Sequence, residues 1–102
     1  MTETLGICVT TLKTFDHLMG ITRAAKGADK NVKIFFTGEA VHITQNKRFP
    51  ELVQLAKVGV CEVSYLANGY KDKELAGLTD KDFVTQAANA EMVEECDRYL
   101  IL

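Results

Sequence analysis

Three short runs of apolar and β-branched residues, separated by stretches of helical period, constrain this chain more than any other feature. Leu5 to Thr10 (Leu-Gly-Ile-Cys-Val-Thr) is nearly continuous in apolar character. Asn31 to Thr37 (Asn-Val-Lys-Ile-Phe-Phe-Thr) is rich in β-branched and aromatic residues and stops at Gly38. Val58, Val60 and Val63 mark a third run, which carries Cys61 toward the end of a buried strand. Continuous rather than alternating apolar character belongs to strands covered on both faces, as in parallel sheets flanked by helices. Between the first two runs, Phe15, Leu18, Met19, Thr22 and Ala25 recur at helical spacing, with Thr14 as the expected cap and Gly27 as the stop. Strand, helix, strand in this order predicts a parallel pair joined by a crossover helix, with ligands gathering at the carboxyl ends of the strands. Thr37 to Val41 falls on that edge.

The rest of the chain extends the same alternation. Pro50 fits the first position of a helix running through Leu52, Val53, Leu55 and Ala56 toward Gly59. Beyond Cys61, Ser64 to Asn68 reads as one helical turn closed by Gly69. Tyr70 to Leu78 is polar, with a short helix expected around Lys73 to Leu75, and Thr79 to Asp82 reads as a turn or cap. Asp82 to Thr85 supports two readings, a brief fourth strand or the start of a helix. Asn89 is the expected cap of a helix over Ala90 to Cys96, with Met92, Val93 and Cys96 on one face. Arg98 to Leu102 reads as a terminal buried strand. The expected order is β-α-β-α-β-α-β-α-β in one α/β domain spanning residues 1–102.

Charge and cysteine usage narrow the function. A formal net charge of -2, with Lys and Arg scattered, leaves no electrostatic footprint for nucleic acid or an acidic membrane surface. No apolar run approaches the roughly 18 residues that span a bilayer, and no leader pattern is visible, so a cytoplasmic protein is expected. Cys8, Cys61 and Cys96 are too widely spaced for a disulfide framework or paired zinc ligands and read as reduced thiols; no metal or cofactor is expected. Cys8, in mid-strand, reads as a buried packing thiol. Cys61 instead lies at a strand-to-helix junction, near unpaired N–H groups and the positive end of a helix dipole, where a thiol ionises more readily. His42, in a polar loop running to Lys47 and Arg48, is either a surface histidine or a proton carrier and thiolate partner near Cys61.

Around Cys61 the pattern becomes specific, with Ser64 three residues on and Gly69 eight residues on, after an apolar strand. It resembles the DsrE/DsrF-like family, which includes the TusD subunit of the bacterial sulfur relay. Phe35, Phe36, Thr37, Gly38 and Val41 look like that family's Phe-Phe-Thr-Gly strand end, and Asp97 to Leu102 like its closing acidic-then-apolar strand. Ala40 stands where many members have a second glycine, and Glu62 where a small residue is common. The resemblance covers nearly the whole chain. It implies a three-layer α/β/α fold with a five-stranded, mainly parallel sheet, and homo- or hetero-oligomers. Cys61 matches the cysteine that accepts sulfane sulfur as a persulfide, with sulfur-donor and sulfur-acceptor proteins as partners.

Two functions from different classes follow. In the first, Cys61 carries sulfur between proteins, with Ser64, Thr37, Gly38, His42 and Gly69 forming the rim. In the second, the protein is a non-catalytic oligomeric subunit or small-molecule binding module, with Cys61 a packing residue and the strand ends around Gly38 a ligand or partner surface. No glycine-rich phosphate fingerprint favours nucleotides. A thiol-redox protein with Cys96 as resolving partner is a third reading. It requires the two Cα atoms within about 7 Å.

Overall fold

Residues 3–71 and 77–102 are described by the structure, a computed structural model. The helix expected around Lys73 to Leu75 lies outside the described residues. The elements are β1 (Thr4–Val9), α1 (Phe15–Gly27), β2 (Asn31–Phe36), α2 (Phe49–Leu55), β3 (Lys57–Cys61), α3 (Glu62–Ala67), β4 (Phe83–Val84), α4 (Gln86–Glu95) and β5 (Arg98–Ile101). The five strands form one sheet in the order β4-β3-β2-β1-β5, and every pair is parallel.

Register divides the strand side chains between two unequal cores. Ile7, Ile34 and Val58 lie side by side, as do Val9, Phe36 and Val60, while Cys8, Phe35 and Gly59 occupy the intervening row. Successive residues of a strand face opposite ways. The first two rows pack on Leu18 and Met19 of α1, Leu52 of α2 and Tyr65 of α3. The remaining row, with Cys61, packs on Met92 of α4. The result is a three-layer α/β/α fold with, among the described residues, α1, α2 and α3 on one side and α4 on the other.

The topology explains the asymmetry. Right-handed crossovers from β1 through β2 and β3 to β4 all advance in one direction and deposit their helices on one face. The chain then reverses to place β5 on the far side of β1, so α4 must cross the opposite face. It crosses close to the sheet: a Cβ on Gly6 would stand 2.9 Å from Cys96 Sγ. Glycine at that position permits the approach.

Several local expectations need correcting. β3 ends at Cys61 and α3 begins at Glu62, so Val63 is a helical residue, 73% exposed, rather than part of the strand. Thr14 precedes α1 but makes no capping bond, and its hydroxyl is buried without a partner among the described residues. Asp82 to Thr85 resolves toward a two-residue strand. α4 starts at Gln86 under a Thr85 cap whose hydroxyl accepts the Ala87 N–H, four residues ahead of the expected start. Its sheet-facing residue is Met92, whereas Val93 is half exposed. Among the described residues β5 is an edge strand paired with β1 alone, which leaves Ile101 68% exposed, so the expectation of a buried strand fails. The polar loop after β2 contains a 3₁₀ segment, Gly38–Gln45, that buries Ala40, Val41, Ile43 and Thr44.

Candidate functional site

The carboxyl ends of β3 and β4 form a topological switch point. α3, which follows β3, lies on the three-helix face, and α4, which follows β4, lies on the other. Strand ends that diverge in this way leave a crevice, the habitual site of ligands in open α/β sheets. Cys61 closes β3 at that crevice, Thr37 and Gly38 follow β2 beside it, and Gln86 opens α4 above it.

A small polar network joins these residues. The Gly38 N–H donates to Ser64 Oγ at 3.0 Å, and Ser64 Oγ lies 3.4 Å from Thr37 Oγ1. Gln86 Nε2 donates to Thr37 Oγ1 at 2.8 Å and to Cys61 Sγ at 3.5 Å. Gly38 has φ +59, a left-handed conformation that favours glycine and that turns its N–H into this network. Each hydroxyl accepts an amide hydrogen, which leaves its own proton to be shared between the sulfur and the other hydroxyl.

The Cys61 thiol feels burial first, which opposes ionisation. Hydrogen bonds from the Ser64 hydroxyl, the Ser64 backbone N–H, the Gln86 amide and the Thr37 hydroxyl act the other way, and the net pKa falls below the ordinary thiol value. These donors are all neutral, so hydrogen bonding rather than ion pairing holds the thiolate. Cys8 and Cys96 move in the opposite direction. Burial pushes Cys8 up, with its contact to the Tyr99 hydroxyl acting the other way, and pushes Cys96 up despite Lys33. Cys61 is thus the thiol of the three that is prepared to ionise.

Of the residues expected at the site, Cys61, Ser64, Thr37 and Gly38 come together. His42 does not join them. Its Nδ1 meets the Tyr70 hydroxyl and its Nε2 lies 3.0 Å from Asn68 Oδ1, so both ring nitrogens are engaged. Asn68 Nδ2 donates to Ser64 O at 2.7 Å, which leaves its Oδ1 to accept from His42. His42 therefore fastens the Gly38–Gln45 segment to the end of α3. Gly69, with φ +91 and open space around its Cα, turns the chain after α3 and touches none of the site's polar groups. Arg48 is placed elsewhere, 3.7 Å from Asp16 and from Glu51 and over the Phe15 ring, so it lends Cys61 no charge.

Cys96 lies against Gly6, level with Lys57 two strands away. From there to Cys61 is four residues along the strand and two strands across, roughly 16 Å at ordinary sheet spacings. A disulfide between them is out of reach. Gln86 is absent from the residues expected at the site, because the clearest helix signal in the sequence begins at Asn89; Thr85 as a cap marks the earlier helix start but not the reach of Gln86 to Cys61. A groove of about 220 Å³ on the α4 face runs between Lys33, Lys57, Val84 and Glu95, and Cys61 is not among its lining residues. Among the described residues no group of His, Cys, Asp or Glu is arranged to hold a metal ion, and no helix is long and apolar enough to cross a membrane. Comparison with protein-family models, curated proteins and solved structures finds no match.

Proposed function

We propose that this protein is a small cytoplasmic sulfur carrier that accepts sulfane sulfur on Cys61 and passes it to a second protein. The observation that carries the reading is the ring of neutral donors around Cys61 Sγ at the switch-point crevice. Such a ring suits an anionic sulfur, whether thiolate or persulfide, and asks for no metal, cofactor or general base. The resemblance of the Cys61, Ser64 and Gly69 spacing and of the Phe-Phe-Thr-Gly strand end to the DsrE/DsrF-like family supports the same chemistry.

The transfer balances without an external oxidant or reductant. Cys61 Sγ⁻ attacks the outer sulfur of a donor persulfide, R–S–SH. The donor S–S bond breaks, its electron pair leaves on the donor sulfur as R–S⁻, and a Cys61–S–SH persulfide forms. An acceptor thiolate then attacks the outer sulfur and returns Cys61 to its thiolate. Donor and acceptor proteins are the partners in this reading, and assembly into homo- or hetero-oligomers belongs to it.

One observation favours the alternative, a non-catalytic subunit or binding module: Cys61 is only 3% exposed. Intact mass separates the two. After incubation with glutathione persulfide, the wild type and Cys96→Ser gain one sulfur atom and Cys61→Ser gains none. If no variant gains sulfur, or Cys61→Ser gains as much as the wild type, Cys61 is a packing residue and the binding-module reading replaces the carrier.

A further inference from the structure

A carrier meets two partners in succession at one sulfur, yet Cys61 is almost wholly covered. Gln86 stands where those demands conflict. It is exposed, it occupies the first position of α4, and the tip of its side chain reaches both Thr37 Oγ1 and Cys61 Sγ. A side chain rooted at an exposed helix start and tied down only at its amide can leave by rotation about its own χ angles, with no movement of the backbone.

We propose that the Gln86 carboxamide is a swinging cover and positioning group for Cys61, which donates to the sulfur when closed and admits the sulfur-bearing partner when it turns away. Closed, it acts twice. One N–H points at Sγ, and the other occupies a lone pair of the Thr37 hydroxyl, which leaves that hydroxyl's proton to the sulfur or to Ser64 Oγ. Open, both effects weaken together and the Ser64 hydroxyl and N–H hold the sulfur with fewer donors, so an arriving partner that presents a donor of its own restores what Gln86 withdrew. The site thereby selects partners that present an N–H or O–H beside their reactive sulfur over bare hydrophobic thiols. This rests on reading Cys61 as the reacting group.

Loss of Gln86 removes a donor and a cover at once, and the two effects separate in a pH profile. Donor loss moves the midpoint of thiolate formation upward. Cover loss raises the plateau reached when the thiol is fully ionised. The experiment is alkylation of Cys61 by iodoacetamide, followed by peptide mass mapping, from below to above the ordinary thiol range. For Gln86→Ala the midpoint rises by about one unit and the plateau rises severalfold. Gln86→Glu keeps the length of the cover and suits a first helical turn, so it folds. Its carboxylate raises the midpoint further, while its plateau stays at or below that of the wild type.

An unchanged plateau in Gln86→Ala overturns the cover, and an unchanged midpoint in both variants overturns the positioning role. Failure of the carrier reading is visible separately. If wild type gains no sulfur from glutathione persulfide while the Gln86 variants shift as described, the carrier falls and the cover stands.

Discussion

At the scale of single residues, the three thiols differ in whether burial or hydrogen bonding prevails. All three are removed from water, which favours the neutral form. Cys61 alone has four donor groups ranged against that effect, and its pKa ends below the ordinary value. This makes the folded state's stability depend on pH in a fixed direction. Below the folded pKa the thiol is protonated in both states and contributes nothing. Between the folded value and the higher unfolded value it is ionised only in the folded protein, and the contribution grows with pH until it is complete above the unfolded value. Chemical denaturation of the wild type and of Cys61→Ser across this window therefore shows the wild type gaining relative stability as pH rises. A difference that is flat, or that shrinks, would show that the donors do not favour thiolate. Much of this site was legible from sequence. Cys61 and Ser64 share a local turn, and Thr37 and Gly38 end a strand whose carboxyl edge was expected to matter. Gln86 was not legible, because its reach to Cys61 depends on where α4 crosses the sheet. The place of His42 was not legible for a related reason: nothing local shows that its ring turns to Asn68 and Tyr70.

Among the elements, α4 is the one that sequence described least well and that the site depends on most. Its outward residues include Ala87, Ala90 and Glu94, all exposed, and only Met92 is buried, so the apolar periodicity that marks α1 is missing. The helix is held instead by its Thr85 cap, by the Tyr99 hydroxyl donating to Asn89 Oδ1 at 2.7 Å, and by close approach to β1 at Gly6. That approach is testable. In Gly6→Ala the new Cβ meets Cys96 Sγ at 2.9 Å and Met92 Cε at 3.4 Å, so sulfur or helix must shift. Overpacking of this kind costs about 1–3 kcal/mol. Cys96→Ala removes the nearest atom, so the double variant should recover part of the loss, a coupling that a double-mutant cycle in urea measures directly. Strict additivity would mean that α4 does not rest on Gly6. The β5 expectation failed on a similar point: Arg98 to Leu102 has the composition of a buried strand, but an edge position follows from sheet order, which composition does not encode.

For the whole molecule, element order and parallel pairing were legible because continuous apolar strands and intervening helical stretches leave few alternatives. Sheet order was not, since the reversal that puts β5 beside β1 is a tertiary choice. That reversal splits the core unequally. The three-helix face buries Phe36, Phe49, Tyr65 and many aliphatic side chains, whereas the α4 face rests on Cys8, Phe35, Cys61 and Met92. Apolar burial is the main force holding a layer, at roughly 25 cal/mol per Å², so the α4 layer is held by much the smaller share. Regions with few buried apolar contacts open at lower free energy than the global transition. Native-state hydrogen exchange should therefore find the amides of α4 exchanging through a partial opening, well before those of β1, β2 and α1, which exchange only on global unfolding. A maleimide too bulky to enter past the rotated Gln86 side chain should then reach Cys61 only when α4 lifts, at the rate at which the α4 amides exchange. If the α4 amides match β1 and β2 in protection, the two layers unfold as one unit, and access to Cys61 then rests on rotation of the Gln86 side chain alone.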